Sequence, residues 1–133
     1  MTSEIGSITV TRGIRIEASP RYLRDHSNPD DANFVFAYTI RVQNDSPETV
    51  RILWRHWNIT DANGQTKEVQ GRGVVGEQPV LGPGEAFEYQ SFCPLTTPWG
   101  AMEGHLTLER ADKSMFEAYI DRFDLKSEAA DND

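Results

Sequence analysis

Three glycines, Gly71, Gly73 and Gly76, stand in G-x-G-x-x-G spacing within the run EVQGRGVVGEQPVLGPGEAFEY, from Glu68 to Tyr89. In dinucleotide-binding proteins this spacing follows a strand and opens a helix, whose free N–H groups and dipole hold a pyrophosphate. Here a strand over 66–70 leads in, but Pro79, Gly82, Pro83 and Gly84 follow, and no helix survives them. The dinucleotide reading therefore fails, and two others remain. Successive amides of a glycine turn can form a nest that holds an anion without a helix, with Lys67 and Arg72 adding positive charge and Glu68 and Glu77 subtracting it. Alternatively, the glycines make a bulge or a tight crossing between sheets on which Val74 and Val75 pack. Gly71, Arg72, Gly73 and Gly76 are accordingly the candidate anion or ligand loop.

The remaining chemistry-bearing residues are sparse. The three histidines (His26, His56, His105) and the lone Cys93 are far apart in sequence and have no metal-ligand spacing, so no metal site is assigned. Asp25, Asp30 and Asp31 offer oxygens in the loop SPRYLRDHSNPDDA, but their spacing fits no calcium loop and Pro29 interrupts it. No serine sits in a nucleophile elbow, and Cys93 alternates with apolar neighbours as a buried thiol does. No catalytic residue and no cofactor is assigned, and the chain is not read as an enzyme. Arg55 and Trp57 share a strand face, and Trp99 lies in the turn TTPWG; these three form a candidate interaction surface, because arginine and tryptophan are enriched at interfaces.

The elements that must position these residues are strands. Ser7 to Ala18 alternates, with Ile8, Val10, Ile14, Ile16 and Ala18 on one face and a bulge expected at Gly13. Residues 33–43 place Phe34, Phe36, Tyr38, Ile40 and Val42 on one face, and NDSPE turns the chain. Residues 50–60 are apolar on both sides, with Trp54 and Trp57 facing opposite ways, and Asp61-Ala62-Asn63-Gly64 makes a hairpin turn. Phe87, Tyr89 and Cys93 alternate after a second turn at Gly82-Pro83-Gly84-Glu85. Met102, Leu106 and Leu108 point inward, as do Phe116, Ala118 and Ile120 in the last strand. About seven to nine short strands with no helical period predict an all-β antiparallel sandwich.

A chain of 133 residues is one domain with a full core, here 1–126, followed by a short acidic tail over 127–133 expected to be disordered. Thirteen basic and 21 acidic residues give a formal charge of −8, which opposes nonspecific nucleic-acid binding. The N-terminus lacks a signal-peptide pattern and no apolar run reaches membrane-helix length, so no membrane insertion is expected. The single cysteine fits a reducing compartment, and the expected location is cytoplasmic.

The glycine run, with WNITD before it and TPWGAMEG after it, closely resembles the bacterial ApaG (CorD) family; the early FVFAYTIRVQN and the closing FEAYIDRFDL match as well. The resemblance extends from about Ser7 to Leu125 in the family's order. It departs at Asp121 and Arg122, which stand where the family has an isoleucine-proline pair, and a looser final edge strand is expected there. It implies an immunoglobulin or fibronectin type III-like sandwich and an association with cobalt resistance and magnesium efflux. The same domain occurs in eukaryotic F-box proteins and in a polymerase-delta-interacting protein, which implies a recognition module. In the family the motif here formed by Gly71, Gly73 and Gly76 has been read as a pyrophosphate site. The expectation is a non-catalytic binding module with a protein partner. Its alternative is a nucleotide- or pyrophosphate-binding protein or enzyme using the glycine loop, with weak divalent-cation or pyrophosphate binding allowed in either case. The partner's identity and the oligomeric state stay open.

Overall fold

The computed structural model describes residues 5–127. Its strands are β1 Ser7–Thr11, β2 Ile14–Tyr22, β3 Phe34–Asn44, β4 Val50–Asp61, β5 Thr66–Arg72, β6 Val80–Leu81, β7 Ala86–Leu95, β8 Trp99–Arg110 and β9 Met115–Lys126. One sheet runs β1-β2-β3-β7; the other runs β5-β4-β8-β9, with the short β6 paired to β4. Every pairing is antiparallel, as the alternating sequence requires. The acidic loop between β2 and β3 forms two single-turn 3-10 helices, Arg24–His26 and Pro29–Asp31, too short to show any period in sequence.

The core lies between the sheets. Ile14, Ile16 and Ala18 of β2 and Phe34, Phe36, Tyr38, Ile40 and Val42 of β3 are buried on one side. Trp57, Leu106, Leu108, Ile120 and Phe123 are buried on the other. Tyr38, Trp57 and Phe123 form an edge-on aromatic cluster, with ring centroids 5.4 Å (Tyr38–Trp57) and 5.8 Å (Trp57–Phe123) apart.

Three local features reverse the expected side-chain parity. The expected bulge at Gly13 is a two-residue hairpin turn: Arg12 and Gly13 have φ of 49° and 81°, and Thr11 pairs with Ile14. That turn puts Ser7, Thr9 and Thr11, not Ile8 and Val10, on the face of Ile14 and Ile16. The hydroxyls then bind the exposed edge of β9. Asp121 N–H donates to Thr9 Oγ1 at 2.9 Å, Tyr119 N–H donates to Thr11 Oγ1 at 3.2 Å, and Ser7 Oγ donates to the Asp121 carbonyl at 2.8 Å. In β4 the register slips between Ile52 and Trp54, leaving Leu53 as an extra residue. Beyond this bulge the inward residues are Arg55, Trp57 and Ile59, and Trp54 turns outward. In β9 the register slips again between the partners of Met102 and Gly104, so Ile120 and Phe123 both face inward. Asp121 and Arg122 form this bulge, and the two Asp121 backbone hydrogen bonds to β1 tie down the segment expected to be loose.

Ser127, which the sequence assigns to the tail, belongs to the domain: it is buried, and its N–H donates to the Pro98 carbonyl at 2.9 Å. The rest of the expected tail lies outside the described residues.

Candidate functional site

The glycine motif forms a two-residue hairpin docked onto the β4 bulge. Val75 and Gly76 have φ of 42° and 82°, and Val74 and Glu77 exchange backbone hydrogen bonds of 2.8 and 2.9 Å across the turn. Gly73 N–H donates to the carbonyl of the bulged Leu53 at 2.7 Å, and Gln78 Nε2 donates to the same oxygen at 3.0 Å. Val74 is fully buried. Three amides that an anion nest would need, those of Gly73, Val74 and Glu77, are thus engaged by protein carbonyls. Gly73 is fixed twice over: its φ is +66°, and a Cβ there would lie 2.2 Å from the Glu77 carbonyl oxygen. Gly71 has a different reason. A Cβ on it would meet the Arg55 guanidinium at 2.8 Å, so the missing side chain leaves the place where Arg55 lies.

Arg55 leads from this hairpin into a cleft of about 470 Å³ between the facing inner surfaces of β5 and β7, the edge strands of the two sheets. Tyr38, Trp57, Val69 and Met102 supply its apolar walls, Ser91 and Cys93 its β7 side, and Arg55 and Lys67 its cations. Arg55 is half-buried, and its Nη1 donates to the carbonyls of Arg72 and Gly73, each at 3.2 Å. Neither Arg55 nor Lys67 has a carboxylate partner among the described residues. The cleft's acid, Asp61, already accepts from the N–H groups of Asn63 (2.9 Å) and Gln65 (3.0 Å). Burial raises Cys93 to about 11, partly offset by the charge of Lys67. Burial also raises Tyr38 and Tyr89 above the usual phenol range, while Arg55 pulls both back. The cleft therefore holds the neutral Cys93 thiol and Tyr38 phenol beside Arg55 and Lys67.

Of the three residues expected to form an interaction surface, the structure keeps two near the surface and corrects one. Trp57 is only 2% exposed and belongs to the core, because the Leu53 bulge reverses the alternation that would expose it. Trp54 takes the outward place at 40% exposure, its indole N–H donating to Gln70 Oε1 at 3.2 Å. Trp99 is 50% exposed and lines a second hollow with Asp61, Gly64 and Lys126. Asp61 lines both hollows, so the cleft and the Trp99 surface adjoin. Phe92, 60% exposed at the cleft, is a surface aromatic that sequence reasoning misses. Its one signal is an aromatic on the polar parity of β7, opposite Phe87, Tyr89 and Cys93.

Two histidines that are distant in sequence do meet. His56 and His105 are directly opposed across β4 and β8 on the outer face, with ring centroids 5.0 Å apart. Each is tied to its own carboxylate, His56 Nε2 to Glu68 at 3.2 Å and His105 Nε2 to Glu117 at 3.1 Å. His26 is exposed in the β2–β3 loop, and among the described residues no group of three or more histidine, cysteine or acidic side chains is arranged to hold a metal ion.

The chain matches relatives along most of its length. Residues 24–110 match the family model described as the ApaG domain. A protein ApaG from Methylobacterium sp. (strain 4-46) is 50% identical over 115 residues, covering 86% of this chain and 88% of the relative. A protein ApaG from Rhodospirillum centenum is 51% identical over 118 residues, covering 89% and 91% respectively. The crystal structure of a Bordetella pertussis protein designated ApaA superposes with a TM-score of 0.85 at 40% identity, covering 90% of this chain and 98% of that one. A sandwich of this topology, matched at these identities over nearly all of both chains, belongs to the ApaG family.

Proposed function

We propose that the protein is a non-catalytic binding module that engages a partner protein through the side of the sandwich where β5 and β7 part. The observation that carries this reading is the pair of exposed aromatics, Phe92 and Trp99, on adjoining hollows that share Asp61. Exposed aromatics beside a concave surface are the residue type that anchors protein interfaces. The thiol of the cleft, Cys93, is held neutral by burial, which favours recognition over nucleophilic chemistry. The link to cobalt resistance and magnesium efflux implied by the family resemblance is, in this reading, an indirect one exerted through the partner. The module works in the cytoplasm, where a single free cysteine is at home. No helix of the described residues is long and apolar enough to cross a membrane.

The test is site-specific photocrosslinking in cells, with benzoylphenylalanine placed at Phe92, at Trp99, and at the exposed Met115 on β9, the edge strand of the second sheet away from β5. The expected result is one common adduct from positions 92 and 99 and none from 115. Crosslinks of equal yield from all three positions would refute the assignment of the surface. Magnesium-dependent turnover of ATP or pyrophosphate by the purified protein would refute the absence of catalysis and favour the glycine-loop alternative.

A further inference from the structure

We infer that the β5–β7 cleft is a binding site for a small amphipathic organic anion, a carboxylate carried on an aromatic or aliphatic body. This goes beyond partner docking and stands on the cleft's own donors and shape. The cleft, about 470 Å³, falls within the roughly 300–1,000 Å³ of small-ligand sites and combines apolar and aromatic walls with an almost equal share of polar surface.

The sign of the ligand follows from its hydrogen-bonding balance. Arg55 spends Nη1 on two carbonyls, and the rest of its guanidinium fork has no hydrogen-bond or carboxylate partner among the described residues. Lys67 has no carboxylate partner there either, in a chain with 21 acidic residues. Trp57, buried and lining the same cleft, has an indole N–H with no acceptor among the described residues. Buried donors are ordinarily satisfied, and this one is left without a protein acceptor in a side chain that lines the cleft. The one carboxylate among the described residues lining the cleft, Asp61, accepts from two hairpin amides through Oδ1. Two cations without a carboxylate partner and a planar guanidinium fork together select a carboxylate. The walls of Tyr38, Val69 and Met102 select the apolar body attached to it. The overall charge of −8 disfavours an anion at long range, but screening confines that repulsion to about 8 Å at physiological salt, and the local charges are positive.

The test is an NMR titration of the full chain with three probes sharing one body: 4-phenylbutyrate, 4-phenylbutylamine and 4-phenylbutanol. The expected result is saturable binding of the acid, with shifts at the Trp57 indole N–H and at the amides of Val69 and Cys93, while the Trp99 indole stays still. The amine and the alcohol bind about tenfold more weakly or worse, and Arg55→Gln weakens the acid about tenfold, the loss expected for one charge-assisted pair. Because Arg55 also holds the hairpin carbonyls, Lys67→Glu, at an exposed position, is measured beside it and weakens the acid several-fold without lowering Tm. Equal binding of acid and amine, no saturable shift, shifts centred on Trp99, or unchanged affinity in Lys67→Glu would each overturn the inference. Those failures leave the docking reading standing, since it is read by crosslinking from Phe92 and Trp99.

Discussion

Alanine substitution of the three motif glycines separates architecture from ligand binding, because the three positions have different physical needs. At Gly76 the φ of +82° is unfavourable for any side chain, but a Cβ added there would meet nothing within 4 Å. The cost is the left-handed conformation alone, about 1–2 kcal/mol. At Gly73 the same conformational cost is joined by a Cβ 2.2 Å from the Glu77 carbonyl oxygen, a backbone atom that moves only if the hairpin opens. Opening it strains the Gly73–Leu53 hydrogen bond of 2.7 Å and lifts the buried Val74. Overpacking of this kind adds about 1–3 kcal/mol, for a total of about 2–5 kcal/mol with about 3 as the central value. At Gly71 the obstruction is the tip of a flexible arginine, and the φ is not in the left-handed region, so the change is within about 1 kcal/mol of neutral. With a urea m-value of about 1.5 kcal/mol/M, the midpoint falls by about 2 M for Gly73→Ala, about 1 M for Gly76→Ala, and under about 0.7 M for Gly71→Ala. Equilibrium urea unfolding followed by tryptophan fluorescence reads all three. A Gly73→Ala midpoint within about 0.3 M of the parent, or a larger loss at Gly76 than at Gly73, would refute the reasoning. An anion nest predicts another pattern, with stability untouched and pyrophosphate affinity lost at all three.

Asn44 is fully buried; its Nδ2 donates to the carbonyls of Glu48 (2.7 Å) and Leu81 (2.9 Å), and Asn44→Ala therefore costs about 1–3 kcal/mol in urea unfolding, chiefly by leaving the buried Leu81 carbonyl without its donor. Thr9→Val removes the acceptor for the Asp121 N–H, and hydrogen exchange at that amide accelerates about tenfold with a stability loss of about 1 kcal/mol. Cys93, Tyr38 and Tyr89 all have folded-state values raised by burial, so the unfolded chain gives up these protons first. Stability is therefore level from neutral pH to about 8.5 and declines from about 9 through the Cys93 value of about 11; that thiol alone accounts for on the order of 3 kcal/mol at the upper end. Urea midpoints that stay flat to pH 10.5 would contradict this, as would rapid alkylation of native Cys93 by iodoacetamide at pH 8.

Most of the sandwich is legible in the sequence because alternation reports burial wherever a strand is regular, as in Phe34 to Val42. It misreports wherever one extra residue enters. The bulge at Leu53 is a pairing between distant strands, and no residue near it signals the slip, so Trp57 reads as a surface anchor when it is core. Gly13 misleads in the other direction: a glycine in an alternating run is compatible with either a bulge or a hairpin, and only the pairing of Thr11 with Ile14 decides between them. Asn44 reads as a turn residue because its burial depends on β6, two residues long and invisible to any window. The cleft is illegible for a deeper reason. Tyr38, Cys93 and Met102 have the alternation of ordinary core residues, and the space between them and Trp57 arises only from how the two sheets diverge.

The two lateral sides of the sandwich are finished differently, and that difference locates the site. On one side β1 presents hydroxyls to the backbone of β9, so the sheets are joined by hydrogen bonds at Thr9, Thr11 and Ser7. On the other, β5 and β7 face each other across the cleft with Lys67, Val69 and Gly71 opposite Ser91 and Cys93. An inward-facing arginine is costly in a closed sandwich, because its charge would be stripped of water. At a parted edge its stem can pack while its head stays half-solvated. Arg55 lies at such a place, and it does so because Gly71 has no side chain. The glycine motif thus serves recognition indirectly: Gly73 and Gly76 shape the hairpin that plugs the β4 bulge, and Gly71 seats the guanidinium. Gly71→Ala should therefore leave the urea midpoint nearly unchanged and weaken 4-phenylbutyrate binding about as much as Arg55→Gln does. Full affinity in Gly71→Ala, with the fold intact by NMR, would show that the position of the guanidinium over Gly71 is irrelevant to the cleft.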